Sequence, residues 1–428
     1  MSTILKDGGT VYFRQDGGNI EYSVNNQSSW NTASAFPITI TNINPVSGNI
    51  LTVLFTTDLT LNTASHYFIC GSAYITFDGQ NNTCIINNVT NYPGLIKNGS
   101  GAISGNGKNY ITVQNINSDT LGSSTLANEG GWIGWSFFGK NANNVLITNC
   151  TSNCTISSQN TGGICGARAG SVTVSNCTST GTISGQYAGG ICGYRAGSSG
   201  SVSVSNCTSS GAISGQYAGG ICGSEAGVFG SATVSNCYST GTINGNNAGG
   251  ICGSDAGYRG VASVSNCYST GTISGNNAGG ICGSNAGSNS GSASVSNCYS
   301  SGILSGINAG GIYGANPSNT ATESNTYIAN GIWSSTDANQ QLTGNPSASN
   351  PGLVWAYYIV DTPYILTVFY VSPTQVDIED GSQLQDFLQG TIGKGIIMND
   401  IEVDFNLTSS NGFKSLFSDD TTIKITRI

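Results

Sequence analysis

Residues 176–193 read Asn176-Cys177-Thr178-Ser179-Thr180-Gly181-Thr182-Ile183-Ser184-Gly185-Gln186-Tyr187-Ala188-Gly189-Gly190-Ile191-Cys192-Gly193, and the same phrase returns at Asn206, Asn236, Asn266 and Asn297 with small edits. Two cysteine series mark the period: Cys177, Cys207, Cys237, Cys267 and Cys298, and Cys165, Cys192, Cys222, Cys252 and Cys282. Most steps are 30 residues. A fixed period of this size means units that cannot bury their own apolar face and must stack on neighbours. Each unit offers three short extended pieces, typified by Ser201–Ser205, Gly241–Asn244 and Ala248–Cys252. Between them lie Gly, Ser and Asn, which favour turns, and helix-forming charged residues are missing. The expected fold is all-β: a parallel β-helix with coils of about 30 residues and three strands per coil. Right-handed winding is the expectation, because parallel crossovers are overwhelmingly right-handed.

Stacked coils convert sequence columns into physical ones, with equivalent residues ~4.8 Å apart. Val174, Val204, Val234, Val264 and Val295 form one apolar column, Ile164, Ile191, Ile221, Ile251, Ile281 and Ile312 a second, and Ile183, Ile213, Ile243, Ile273 and Leu304 a third. Asn176, Asn206, Asn236, Asn266 and Asn297 are expected to form an amide ladder at a bend. Length variation falls after Ala-Gly, as in Gly197–Gly200 and Gly287–Gly291, so that corner should face outward.

The chain has 428 residues, 62 Gly, 8% charged residues and a formal charge of −9. That balance argues against a nucleic-acid footprint. No apolar run approaches membrane-spanning length, and Met1–Asp7 has no apolar core of a secretion leader, so neither membrane insertion nor a leader is expected. The 14 cysteines sit at core-like positions, and Tyr313 replaces one of them, which favours free, stacked thiols over disulfides. Metal is not expected, since no Cys-x2-Cys pair and only the single His66 occur. No cofactor is expected either.

In chain order, residues 1–35 read as a capping hairpin around Asp16-Gly17-Gly18, 36–143 as irregular coils, and 144–330 as the regular Cys/Gly-rich repeats. Residues 331–362, with Trp333 and Trp355, read as a wrapping segment. Residues 363–428 read as a small β-rich module, with a short helix at 382–388, that caps the rod or joins copies of the chain.

Catalysis needs converging carboxylates or a nucleophile and base. Within 162–316 the charged residues are Arg168, Arg195, Glu225, Asp255 and Arg259, and the first four share one column, where charge-neutralising neighbours are the expected reading. Were the chain a carbohydrate-active β-helix enzyme, Asp58, Asp78 and Lys97 in the irregular coils would be the candidates. Aromatic residues suit sugar rings. Glycan contact is therefore expected at Trp132 and Trp135, in Asn128–Lys140, and at the column Tyr238, Tyr268 and Tyr299.

The repeat Ala-Gly-Gly-Ile-Cys-Gly followed by Val-Ser-Asn-Cys-Tyr-Ser-Thr-Gly-Thr-Ile-Ser-Gly resembles the glycine-rich, GLUG-type solenoid repeats of bacterial surface adhesins and of surface or structural proteins of giant DNA viruses. Leu51–Asp58, Tyr67–Gly71, Asn91–Ile96 and Gly130–Gly134 are similar to the leading portions of those viral proteins. The resemblance spans residues 36–360 and implies a non-enzymatic rod or fibre component, found on the virion surface or in host cytoplasm during assembly, with an extracellular adhesin as the alternative. It implies self-association and cell-surface glycans as partners, and brings no catalytic motif.

Overall fold

The computed structural model describes residues 1–324 together with the backbone of strands Tyr327–Ile328, Leu353–Ile359, Tyr364–Tyr370, Gln375–Ile378, Lys394–Ile397, Ile401–Asp404 and Thr422–Ile425. The expected helix at 382–388 lies outside the described residues, as does most of the wrapping segment. Among the described residues every regular element is a strand.

The chain is a parallel β-solenoid with three faces. The widest is a 13-stranded sheet that includes Leu51–Phe55, Ile75–Asp78, Ile111–Gln114, Val145–Thr148, Gly170–Ser175, Ser199–Ser205, Ser231–Ser235, Val261–Ser265 and Ser292–Ser296. The second is a 10-stranded sheet of short strands such as Thr208–Ser209 and Tyr238–Ser239. The third begins as a 4-stranded sheet ending at Ile96–Lys97. In the regular repeats it continues as single-residue bridges, Gly134 to Cys165, Cys165 to Cys192 and onward to Tyr313. Glycine on both sides of the Ile-Cys pair is the reason for the narrowing, because it turns the chain before a longer ladder can form.

The wide sheet follows from strict alternation. In Ser231-Ala232-Thr233-Val234-Ser235 the Ala and Val are buried and the hydroxyl residues face outward. Pairing is in register, Val204 with Val234 and Val234 with Val264, so each expected apolar column is a physical stack. The N-terminal coils use the same frame with larger contents. There Phe13, Phe55, Phe68 and Phe77 are fully buried, with Phe13 and Phe68 edge-on at 5.0 Å.

At the N-terminal end, Gly9–Phe13 pairs parallel with Leu51–Phe55 while Tyr12–Asp16 pairs antiparallel with Asn19–Ser23. The wide sheet thus stops at a hairpin and the two-residue strand Asn31–Thr32. Short edges of this kind resist pairing with other chains.

The asparagine column differs from expectation. Asn176, Asn206, Asn236 and Asn266 sit at φ near +53°, and their backbone N–H groups donate to seryl carbonyls of the next coil. Asparagine tolerates this left-handed geometry better than other non-glycine residues, so the column is a backbone corner on the surface. An amide-to-amide bond occurs earlier in the same column, Asn149 Nδ2 to Asn115 Oδ1 at 3.4 Å.

All 14 cysteines are free and buried. In the column after Asn, the Cys207 sulfur accepts the Cys177 N–H at 3.4 Å and lies 3.2 Å from the Ser205 carbonyl, to which it donates. The pattern repeats from Cys237 to Cys298. Burial pushes the Cys154 thiol up to about 12 and drives Cys70 and Cys84 well above the ordinary thiol range. Because every sulfur is buried, thiol reagents are expected to leave the native protein unlabelled and to titrate all 14 cysteines once it is denatured. Rapid labelling of the native chain would contradict this packing.

A second internal column carries hydroxyls. Ser179, Ser209, Ser239, Ser269 and Ser300 are fully buried and their Oγ atoms have no hydrogen-bond partner. An unmade bond in the interior costs about 1–3 kcal/mol. Ser239→Ala is expected to raise stability by about 1 kcal/mol on the same reasoning. A chemical-denaturation midpoint that falls would show that the hydroxyl is satisfied.

Candidate functional site

The third face is held by short contacts, which lets large side chains lie on its outside. Trp135 follows the bridge residue Gly134 and folds back over the preceding coil. Its Nε1 donates to the Gly94 carbonyl at 2.8 Å. A Cβ on Gly94, itself at φ +129°, would come within 2.9 Å of the indole Cδ1, so glycine is required there. Tyr67 packs against the indole at 4.7 Å between centroids, and the Lys97 ammonium lies 4.5 Å above the ring. The group is half-buried and open at its rim.

Two residues further on, Phe137 takes the left-handed corner at φ +57° and meets Lys140 and Arg168 at 5.7 and 5.4 Å. Lys140 Nζ donates to the Ala102 carbonyl at 2.7 Å, and Arg168 pairs with Glu129 at 3.0 Å. The same corner continues through Arg195, Glu225 and Asp255, all at positive φ. Arg195 Nε and the Tyr194 hydroxyl donate to the two oxygens of Glu225 at 2.9 and 2.8 Å. Burial, reinforced by the Glu225 charge, raises the Asp255 pKa, while the Ser254 hydroxyl donates to it at 2.8 Å. Glu225 thus neutralises Arg195 within the column, while Arg168 pairs outside it with Glu129 and Asp255 is held by hydroxyl donors rather than by a cation.

Trp132 is not at this site, contrary to the expectation. It is 0% exposed, stacks on Tyr92 and donates from Nε1 to the Thr155 carbonyl at 3.3 Å. The bridge from Gly131 to Gly162 explains why, since it places Trp132 beside Gly163, in the column that points inward. That alignment was available from Gly131-Trp132-Ile133-Gly134 set on Gly162-Gly163-Ile164-Cys165.

The tyrosine column is a stack rather than a platform. Tyr238 and Tyr268 lie 4.9 Å apart at 2°, and Tyr268 and Tyr299 lie 5.0 Å apart at 5°. Ring faces that cover one another are closed to a sugar, leaving edges and hydroxyls. Tyr299 is 38% exposed, and burial followed by the neighbouring Tyr268 pushes its phenol up to about 12.

The three candidates for catalysis are not brought together. Asp58 Oδ1 accepts the Thr83 N–H at 2.7 Å in the turn entering the short-strand sheet. Asp78 is at the end of a wide-sheet strand, where it accepts from Gln80, Gln114 and Asn115. Lys97 is on the third face. His66 stacks on Phe36 at 4.5 Å, its Nδ1 accepts the Asn62 N–H at 3.3 Å, and burial lowers its pKa. Among the described residues no group of three or more His, Cys, Asp or Glu side chains is placed to hold a metal, and no helix is long and apolar enough to cross a membrane.

No protein-family model and no curated protein matches the chain. A crystal structure from Bacteroides ovatus, described as that of a candidate immunoglobulin A1 protease, is similar with a TM-score of 0.36 and 18% identity, over 66% of this chain and 76% of that one. Likeness at this level carries no argument about activity. What the chain itself defines is a parallel β-solenoid, and its function has to be argued from its surface and not from the fold.

Proposed function

We propose that the protein is a non-enzymatic surface rod that attaches to glycans through the exposed corner around Trp135. One observation carries the reading: groups capable of covalent chemistry are turned inward or already engaged, while aromatic rings and cations collect on one outer edge. The cysteines are buried, and Glu129 and Glu225 are ion-paired. Trp135, Tyr67 and Phe137 are half-exposed instead.

Reduced thiols and the repeat resemblance support assembly in a reducing cytoplasm and display on the particle of a large DNA virus. Display on a bacterial surface as an adhesin is the other setting. The C-terminal strands support self-association through residues 363–428. Gln375–Ile378 pairs with Lys394–Ile397 and Ile401–Asp404 with Thr422–Ile425 in two-stranded ladders, the kind of edge that strand addition from another chain extends.

A panel of immobilised and soluble oligosaccharides tests the reading. Binding without turnover, abolished by Trp135→Ala while the melting temperature shifts little, is the expected result. Cleavage of any member of the panel, lost on Asp78→Ala, would replace the rod by an enzyme.

A further inference from the structure

Among the described residues there are eight Lys and Arg side chains, and their placement is uneven. Five of them lie over aromatic rings along one edge of the rod: Lys97 on Trp135, Lys140 and Arg168 on Phe137, Arg195 on Tyr194 and Arg259 on Tyr258. The carboxylates of that edge are Glu129, Glu225 and Asp255. In a chain of formal charge −9 this edge is locally positive. Most of its cations already have anionic or carbonyl partners, as Arg168 has Glu129 and Lys140 has Ala102.

Lys97 is different. Its ammonium rests on the Trp135 ring at 4.5 Å, and none of the ion pairs among the described residues includes it. A cation over a half-exposed indole keeps its remaining donors available to an incoming anion. The indole is fixed beforehand by its bond to Gly94 and by Tyr67, so little side-chain freedom is lost on binding.

We propose that the Tyr67–Lys97–Trp135 cluster recognises a carboxylated sugar, of the uronic or sialic class, with the uncovered edges of the aromatic rings against the pyranose and Lys97 taking the carboxylate. The inference rests on the glycan reading above and narrows it to acidic glycans. Nucleic acid, the other common polyanion, is disfavoured by the overall negative charge.

Isothermal titration of the full chain with tetragalacturonate, sialyllactose, lactose and cellotetraose separates the two levels. At least one acidic ligand should bind about tenfold more tightly than its neutral counterpart, one charge-assisted contact's worth, with the preference weakening as salt is raised. Lys97→Gln should erase the preference, Lys97→Arg should retain it, and Trp135→Ala should abolish binding of all four. Thiol protection in each variant verifies that the solenoid is intact. Equal affinity for acidic and neutral ligands would overturn the carboxylate assignment while leaving the glycan reading in place. Absence of all binding would overturn both, and an acid preference that survives Lys97→Gln would move the site away from this cluster.

Discussion

Gly220→Val is expected to collapse the regular repeats. A Cβ at this position would run into the Gly250 carbonyl oxygen of the next coil and come within 2.5 Å of the Ser239 Oγ. The atoms in the way belong to backbone and to a short, fully buried side chain, so neither can swing aside. Overpacking of a well-filled core already costs about 1–3 kcal/mol, and a clash with backbone costs more. Coils depend on their neighbours for burial, so a fault in the middle of the array disconnects those on both sides. Circular dichroism should show loss of strand signal or a melting temperature lowered by ten degrees or more, on the order expected for a several-kcal/mol loss. A native-like melt would mean that the coils are spaced more widely than the register implies.

Trp132→Ala is expected to be nearly as damaging, and for the opposite reason. Its ring fills the interior next to Tyr92, with centroids 6.3 Å apart, and no part of it reaches solvent. Truncating a buried tryptophan costs about 3–5 kcal/mol through lost burial and the cavity left behind. The contrast with Trp135→Ala is the informative comparison. Three residues apart in one short stretch, one substitution should remove stability and the other binding. Denaturant melts of the two variants would contradict the assignment if their losses were equal.

These two tryptophans also mark where sequence alone runs out. The period made the Val174, Ile164 and Ile183 columns legible, because a repeat that must stack leaves its alternation in plain view. It made the thiol columns legible as well, since Tyr313 in place of a cysteine cannot preserve a disulfide or a metal site but can preserve packing. Direction within the Gly-rich segments was harder to read. In Gly131-Trp132-Ile133-Gly134-Trp135 there is no alternation to follow, and the bridge partners Gly162 and Cys165 decide which indole faces inward. The asparagine column showed the same ambiguity between a side-chain ladder and a left-handed backbone corner. The Lys97–Trp135 contact joins residues nearly forty positions apart in coils of unequal length, so no spacing rule would have paired them.

Electron microscopy of the reduced 428-residue chain tests the central claim, that the protein works as a rigid rod. Eleven parallel rungs of the wide sheet at ~4.8 Å give a solenoid roughly 50 Å long. Straight, uniform rods with that segment length, single or joined through their C-terminal modules, are the predicted result. Rounded particles with no elongated segment would contradict it.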